Sequence, residues 1–272
     1  RPENMDINKT EPIMTTIKKI KENNKNIVLK DPDKDHIDQS DLIELPTGWA
    51  WIRLGEICGI VEKDHSKENQ ENEFTYLDIS SIDNKSQKIV SPKKYMWKDA
   101  PSRAKQIVRT GDILFSTVRT YLKNIAIVDK KYDKQIASTG FCVIRPLAPI
   151  SNKYIFWLVQ NEMFLDNLNQ IQRGSNYPAV RDMDVFSQIV PLPPIKEQII
   201  IGDELERAFT KSYQMEANII QNISLMDKLN QGILKSAFQG NLVTQNSKYE
   251  DANILLKKIQ KEKEEFTKNE EK

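Results

Sequence analysis

The chain has 272 residues, of which 39% are hydrophobic, 29% charged and 8% aromatic, a composition that suits a folded chain with a core and excludes a disordered one. Its formal charge of +1 points to no partner by itself; no apolar run approaches the roughly 20 residues of a bilayer span and no signal-peptide pattern opens the sequence, so a cytoplasmic protein with no membrane partner is expected. Cys58 and Cys142 are the only cysteines and His36 and His65 the only histidines, which predicts two buried thiols rather than a disulfide and no zinc site.

Residues 1–40 read as a polar tail or linker, with a short helical pattern at Ile13, Ile17 and Ile20 and a loop around Pro32 and Asp33. A folded domain over residues 41–194 opens where Pro46 and Gly48 make a turn and Trp49, Trp51 and Ile52 begin an edge strand. Residues 62–83 are acidic. Glu62, Asp64 and Glu68 are the carboxylates a nuclease magnesium would need, without a companion lysine motif. The stretch 85–145 then sets fourteen Lys or Arg, among them Lys93, Lys94, Arg103 and Arg109, against four Asp. Such a surplus suits a polyanion, because neutralised phosphates release condensed counterions. On charge alone, a solvated surface is the commoner explanation.

Strand patterns fall at residues 74–79, 112–116, 124–128 and 140–145, separated by turns such as Thr110-Gly111-Asp112. The exit from the buried strand at Ile113 to Phe115 is expected to present Ser116, Thr117, Arg119, Tyr121 and Lys123, a mixture of hydroxyls, cations and an aromatic that suits phosphates and base edges. Residues 151–171 predict one helix capped by Ser151, with Tyr154, Phe156, Trp157, Val159, Leu165 and Leu168 as core. The loop that follows carries Arg173, Gly174, Ser175, Asn176, Tyr177, Pro178 and Arg181. Asn176 has the chemistry to read adenine, and Arg173 or Arg181 to read guanine. The plainer alternative is that both loops only connect elements.

The run Val190-Pro191-Leu192-Pro193-Pro194 can continue neither a helix nor a central strand, and it marks the end of the domain. A spacer helix over residues 195–240 follows, proline-free, with Leu205, Phe209, Tyr213, Ile220, Met226, Leu229 and Ile233 recurring along one stripe. At 1.5 Å per residue it makes a rod roughly 60 Å long, whose apolar face needs a partner helix. Gly240 is placed to stop it, and residues 241–272 hold a second helical pattern with Leu255, Leu256, Ile259 and Phe266 among charges.

Five strings carry a resemblance. They are Leu45-Pro-Thr-Gly-Trp-Ala-Trp-Ile-Arg-Leu-Gly55, Gly111-Asp-Ile-Leu-Phe-Ser-Thr-Val-Arg119, Pro191-Leu-Pro-Pro-Ile-Lys-Glu-Gln198, Leu234-Lys-Ser-Ala-Phe-Gln-Gly-Asn-Leu-Val243 and Asp251-Ala-Asn-Ile-Leu-Leu-Lys-Lys-Ile-Gln260. In content, order and spacing they resemble the landmarks of the specificity subunits of type I restriction-modification enzymes. The resemblance implies an α+β target-recognition domain, with a twisted sheet and packed helices, followed by a long helix that pairs as a coiled coil. Family members usually carry two such halves, whereas the landmarks occur once here, so a half-length form is expected. It would work as a homodimer or with a second specificity half.

The same resemblance implies double-stranded DNA as ligand, modification subunits that bind S-adenosylmethionine and methylate adenine, and restriction subunits that use ATP and Mg2+. No cofactor or catalytic centre is expected on this chain. It has no Asn-Pro-Pro-aromatic motif, no glycine-rich loop after a strand and no Walker-type Gly-Lys-Ser or Gly-Lys-Thr string. A coiled-coil structural or regulatory adaptor without DNA reading is the competing expectation.

Overall fold

The computed structural model describes residues 12–29, 42–64, 70–244, 246 and 248–270. The loop expected at Pro32 and Asp33, both histidines and Glu68 lie outside the described residues. The chain divides into two compact units, Arg1–Ala208 and Phe209–Lys272.

The first unit begins with α1 (Ile13–Asn23) and β1 (Ala50–Arg53), and continues through β2 (Glu73–Leu77), β3 (Ile82–Asp83), β4 (Lys88–Ile89), β5 (Lys93–Met96) and β6 (Ala104–Ile107). Next come β7 (Ile113–Ser116), β8 (Ile125–Ile127), β9 (Ile136–Ser138) and β10 (Phe141–Ile144). It closes with α2 (Asn152–Leu158), α3 (Glu162–Gln170), α4 (Asp182–Phe186), β11 (Ile189–Leu192) and the first turns of α5 (Ile195–Phe238).

β7 is the keel of this unit. It lies between β10 and β8, antiparallel to both, and all four of its residues are buried. Side chains alternate across a strand, so Ile113 and Phe115 enter one hydrophobic cluster with Ile125, Cys142, Ile155 and Leu168, while Leu114 enters another with Ala126, Phe141 and Val143. Burial on both faces is why the segment reads as an unbroken apolar run. A four-stranded sheet, β5-β2-β9-β6, joins β2 and β9 in parallel, and β3 pairs with β4 as a hairpin.

The expectation of a polar tail over residues 1–40 is corrected at α1. Ile13, Ile17, Ile20 and Ile27 are buried in the cluster of Ile57, Cys58 and Ile144. Val28 and Leu29 donate from their backbone nitrogens to Cys58 and Gly55. Within α1, polar residues such as Lys18, Lys19 and Glu22 form the outer face of an amphipathic helix.

Two helices also replace the one expected at residues 151–171. Ser151 caps α2 by accepting from Tyr154 N, but the chain turns at Gln160, and Asn161 opens α3 by accepting from Met163 N at 2.8 Å. Asn is a stronger N-cap than a helix-interior residue, which explains the break. The aromatic stripe is core: Tyr154, Phe156, Phe164 and Leu168 are all buried.

The proline run becomes β11, an edge strand on β1 with Pro191 opposite Trp51. The start of α5 is fastened to this corner. Gln198, fully buried, accepts from Ser151 N at 3.0 Å and donates to Pro193 O at 2.8 Å. Trp49 Nε1 donates to Glu197 at 3.0 Å, Tyr154 Oη to Pro191 O at 2.6 Å, and Lys153 pairs with Asp203 and Glu206. Gly202 packs closely on α2: a Cβ there would lie 3.0 Å from Lys153 Cβ and 3.2 Å from Tyr154 N.

In the second unit α5 runs on to Phe238, 44 residues from its start, and α6 (Ala252–Glu270) follows. Gly240 stops α5 with φ +74, donating to Ala237 O, while Asn241 N reaches Ser236 O. Those two bonds satisfy the last carbonyls of the helix. Phe209, Tyr213, Ile220, Met226, Leu229 and Ile233 are all exposed along α5, as are Leu255, Leu256, Ile259 and Phe266 on α6. Leu205, in the first unit, is half-buried. Among the described residues no helix is long and apolar enough to cross a membrane.

Candidate nucleic-acid interface

The two loops singled out in the sequence are brought together. After β7 the chain enters residues 117–123, and Val118 bridges to Ala179 while Val180 N donates to Thr117 O and Arg119 N to Pro178 O. The second loop closes on itself: Arg173 and Ala179 exchange both backbone hydrogen bonds, and Gly174 makes the bend at φ +96, a region that favours glycine. Beneath them, Thr120 Oγ1 donates to Asn169 Oδ1 at 2.6 Å, and Gln172 Nε2 also reaches Asn169 at 2.7 Å. The loops are fixed by backbone and buried polar bonds, leaving their outer side chains available.

Those outer side chains are Arg119, Tyr121, Lys123, Arg173, Ser175, Asn176 and Tyr177. The guanidinium of Arg119 lies 4.8 Å from the centre of the Tyr177 ring, and its Nη2 donates to Asn176 O at 3.2 Å. Arg119 and Lys123 both hold left-handed backbone, φ +50 and +53, on either side of a 3-10 turn at Thr120–Leu122. That pair of αL residues turns the loop sharply, and Tyr121 and Tyr177 are left exposed. Arg173 pairs with Asp184 at 2.7 Å, and Asp184 also accepts from Arg181 N at the start of α4. The Arg173 hydrogen bond holds the Asp184 carboxyl below the usual carboxylate range.

Several expected contacts stand elsewhere. Ser116 and Thr117 are buried, and their hydroxyls donate to Val118 O and Gly140 O; they serve the β7 exit rather than its outer surface. The expectation that the loop presents them is corrected: Ser116 still belongs to β7, and Thr117 is buried between its backbone bonds to Gly140 and Val180. The basic stretch is also partly neutralised by the acidic stretch before it. Lys94 pairs with Glu73, Lys93 approaches Asp78 at 3.8 Å, Lys98 meets Glu71 and Arg109 meets Glu62. Arg103 is exposed before β6, with no described bond joining it to the two loops.

Arg145 is internal, gripping buried Asp112 with Nε and Nη2 at 2.9 and 2.8 Å and reaching Glu62 through Nη1. This arrangement lowers the Glu62 carboxyl, chiefly through the Arg145 hydrogen bond. Glu62 is therefore committed to two guanidinium groups, and the magnesium-carboxylate alternative finds no grouped ligands among the described residues. Burial pushes both Cys58 and Cys142 thiols upward, which suits inert core residues.

One element next to the loops was missing from the sequence-based set. Asn84 Nδ2, in the β3–β4 turn, donates to Leu122 O at 3.0 Å. Asp83 followed by Asn84 was the available signal, because such pairs open tight turns.

A sequence profile described as the type I restriction modification DNA specificity domain matches residues 46–225. The specificity subunit of the type I restriction enzyme EcoDI of Escherichia coli is 27% identical over 210 residues, covering 75% of this chain and 45% of that protein. The EcoAI specificity subunit, also of Escherichia coli, is 26% identical over 272 residues, covering 83% of this chain and 46% of that protein. The crystal structure of the HsdS subunit from Thermoanaerobacter tengcongensis superposes with a TM-score of 0.67 at 36% identity, covering 78% of this chain and 54% of that one. The chain spans about half the length of the relatives it matches.

Proposed function

The chain belongs to the type I restriction-modification DNA specificity family, and from that membership we propose that it reads one part of a double-stranded DNA target for a type I restriction-modification system. The observation that carries this reading is the joined pair of loops, in which Arg119 stacks on Tyr177 across hydrogen-bonded backbones, Tyr121, Arg173, Ser175, Asn176 and Tyr177 are exposed, and Arg119 and Lys123 are half-buried. Guanidinium, amide and aromatic groups on a braced loop are what base edges and stacked bases require. The lysines and arginines add affinity that does not depend on sequence.

In this reading the chain is a non-catalytic subunit working in the cytoplasm. Modification subunits would bring S-adenosylmethionine and methylate adenine, and restriction subunits would bring ATP and Mg2+. The exposed apolar residues of α5 and α6 support pairing with helices of a second specificity half, of another copy, or of the modification subunits. Two copies related by a two-fold axis would read an interrupted palindrome.

The test is alanine substitution of Arg119, Lys123 and Arg173 together in the full chain, followed by DNA affinity across a salt series. The reading expects weaker binding and a shallower salt dependence. Unchanged affinity and slope would leave a helical adaptor without DNA reading as the better account.

A further inference from the structure

We propose that the β3–β4 hairpin is a third DNA-contacting element, whose Lys85 and Lys88 engage the phosphate backbone beside the two reading loops. This rests on the DNA-recognition reading above and extends it to residues that reading does not use.

The hairpin is firmly seated. Ile82 and Ile89, paired across it, are buried with Leu114, Ala126 and Val128, so its base packs on the same sheet that carries the first loop. Its tip is held by Asp83, which accepts from Lys85 N and Ser86 N at 3.2 Å each and from the Ser86 hydroxyl. Those bonds keep the Asp83 carboxyl below its ordinary range. They also turn the hairpin's one carboxylate onto its own backbone. Gln87 takes the left-handed conformation at φ +55, which closes the turn.

Asn84 then ties the tip to the first loop by donating to Leu122 O, between Tyr121 and Lys123. Lys85, within the turn, and Lys88, at the start of β4 opposite Asp83, are exposed; neither forms a salt bridge among the described residues, and Lys85 acts on the Asp83 carboxylate only through space. They differ in this from Lys93, Lys94 and Lys98 of the same basic stretch, which meet Asp78, Glu73 and Glu71.

A braced turn that offers two exposed ammonium groups, neither within salt-bridge distance of a carboxylate among the described residues, suits phosphate contact. Its location beside Tyr121 and Lys123 places that contact at the edge of the reading loops. Contacts of this kind set register and orientation while base contacts choose the sequence. Lys85 and Lys88 are therefore expected to strengthen every sequence alike, in contrast to Asn176.

The test compares five forms of the full chain by fluorescence anisotropy on duplex DNA between 50 and 200 mM salt: unaltered, Lys85→Ala/Lys88→Ala, Lys85→Arg/Lys88→Arg, Arg119→Ala/Asn176→Ala, and Lys98→Ala as an ion-paired control. Each lost phosphate contact removes about one unit of the log–log salt slope. The hairpin double variant should bind more weakly on all sequences, with a slope shallower by about two, and Lys85→Arg/Lys88→Arg should restore it. Lys98→Ala should match the unaltered chain. An unchanged slope in the hairpin variant, with binding weakened in the loop variant, overturns the hairpin contact alone. If neither variant alters binding, or the unaltered chain binds no duplex, the DNA-recognition reading fails and takes the hairpin with it. Both lysines are exposed, and an unchanged melting temperature checks that the fold persists.

Discussion

The Arg119 guanidinium lies 4.8 Å from the centre of the Tyr177 ring, a cation–π contact that joins loops 58 residues apart in sequence. Tyr177 is nevertheless 70% exposed. An exposed contact of this type contributes about 0.5–1 kcal/mol. A double-mutant cycle with Arg119→Ala and Tyr177→Phe or Ala, read by chemical denaturation, should give coupling of that size for Ala and much less loss for Phe. Coupling indistinguishable from zero for Tyr177→Ala would mean that the backbone bridges alone hold the loops.

Backbone and side chain can be separated at Arg119. With φ +50, the residue carries the roughly 1–2 kcal/mol penalty of a non-glycine residue in left-handed backbone. Arg119→Gly is expected to be more stable than Arg119→Ala by about 1 kcal/mol, although both lose the guanidinium and bind DNA equally weakly. Equal stabilities would show that the αL conformation costs nothing here.

Gln198 anchors the start of α5 at the corner of β1 and β11. Gln198→Leu leaves the part-buried Ser151 N and the buried Pro193 O without this partner, a loss of about 1–3 kcal/mol for a buried group and less for a part-buried one. The expected loss is about 2–4 kcal/mol of stability in urea unfolding. Retention of full stability would assign the corner's rigidity to Tyr154 and the Lys153 ion pairs instead.

Legibility of the fold follows from which residues face inward. α5 was plain because proline stops just before it and apolar residues recur for 44 residues, and β7 was plain because both its faces are buried. β5 and β6 escaped notice because Lys93, Lys94 and Lys105 occupy outward positions and interrupt the apolar alternation on which strand recognition relies, and β9 because Ile136–Ser138 is only three residues long. α1 was recognisable as a helix, but period alone does not say what a helix packs on. At the site, Arg119, Asn176 and Tyr177 were legible as chemistry. The burial of Ser116 and Thr117, and the neutralisation of Lys94 by Glu73, depend on partners distant in sequence.

The Arg173–Asp184 pair should be insensitive to mild acid. Asp184 is depressed in the folded chain, so its stabilising share is complete above the unfolded carboxylate pKa of about 3.9. That share is lost only as pH falls through the lower folded value. Carboxyl-carbon NMR should place the Asp184 midpoint below that of exposed aspartates, and Arg173→Ala should bring it back. A midpoint unaffected by Arg173→Ala would remove the pair from the loop's supports.

Helix pairing predicts that Ile220→Glu/Leu229→Glu leaves the melting of the first unit unchanged while abolishing association. Sedimentation velocity of the full chain should show a concentration-dependent complex for the unaltered form and a monomer for the variant. A monomer in both cases, at every concentration and with added modification subunit, would contradict the pairing.

The central claim is that this chain reads DNA sequence through its two joined loops. Selection of bound duplexes from a random library by the full chain, followed by sequencing, tests it most directly. One enriched motif is expected, with discrimination at one or more positions relaxed by Asn176→Ala and Tyr177→Ala. No enrichment, or an enriched motif untouched by both substitutions, would contradict it.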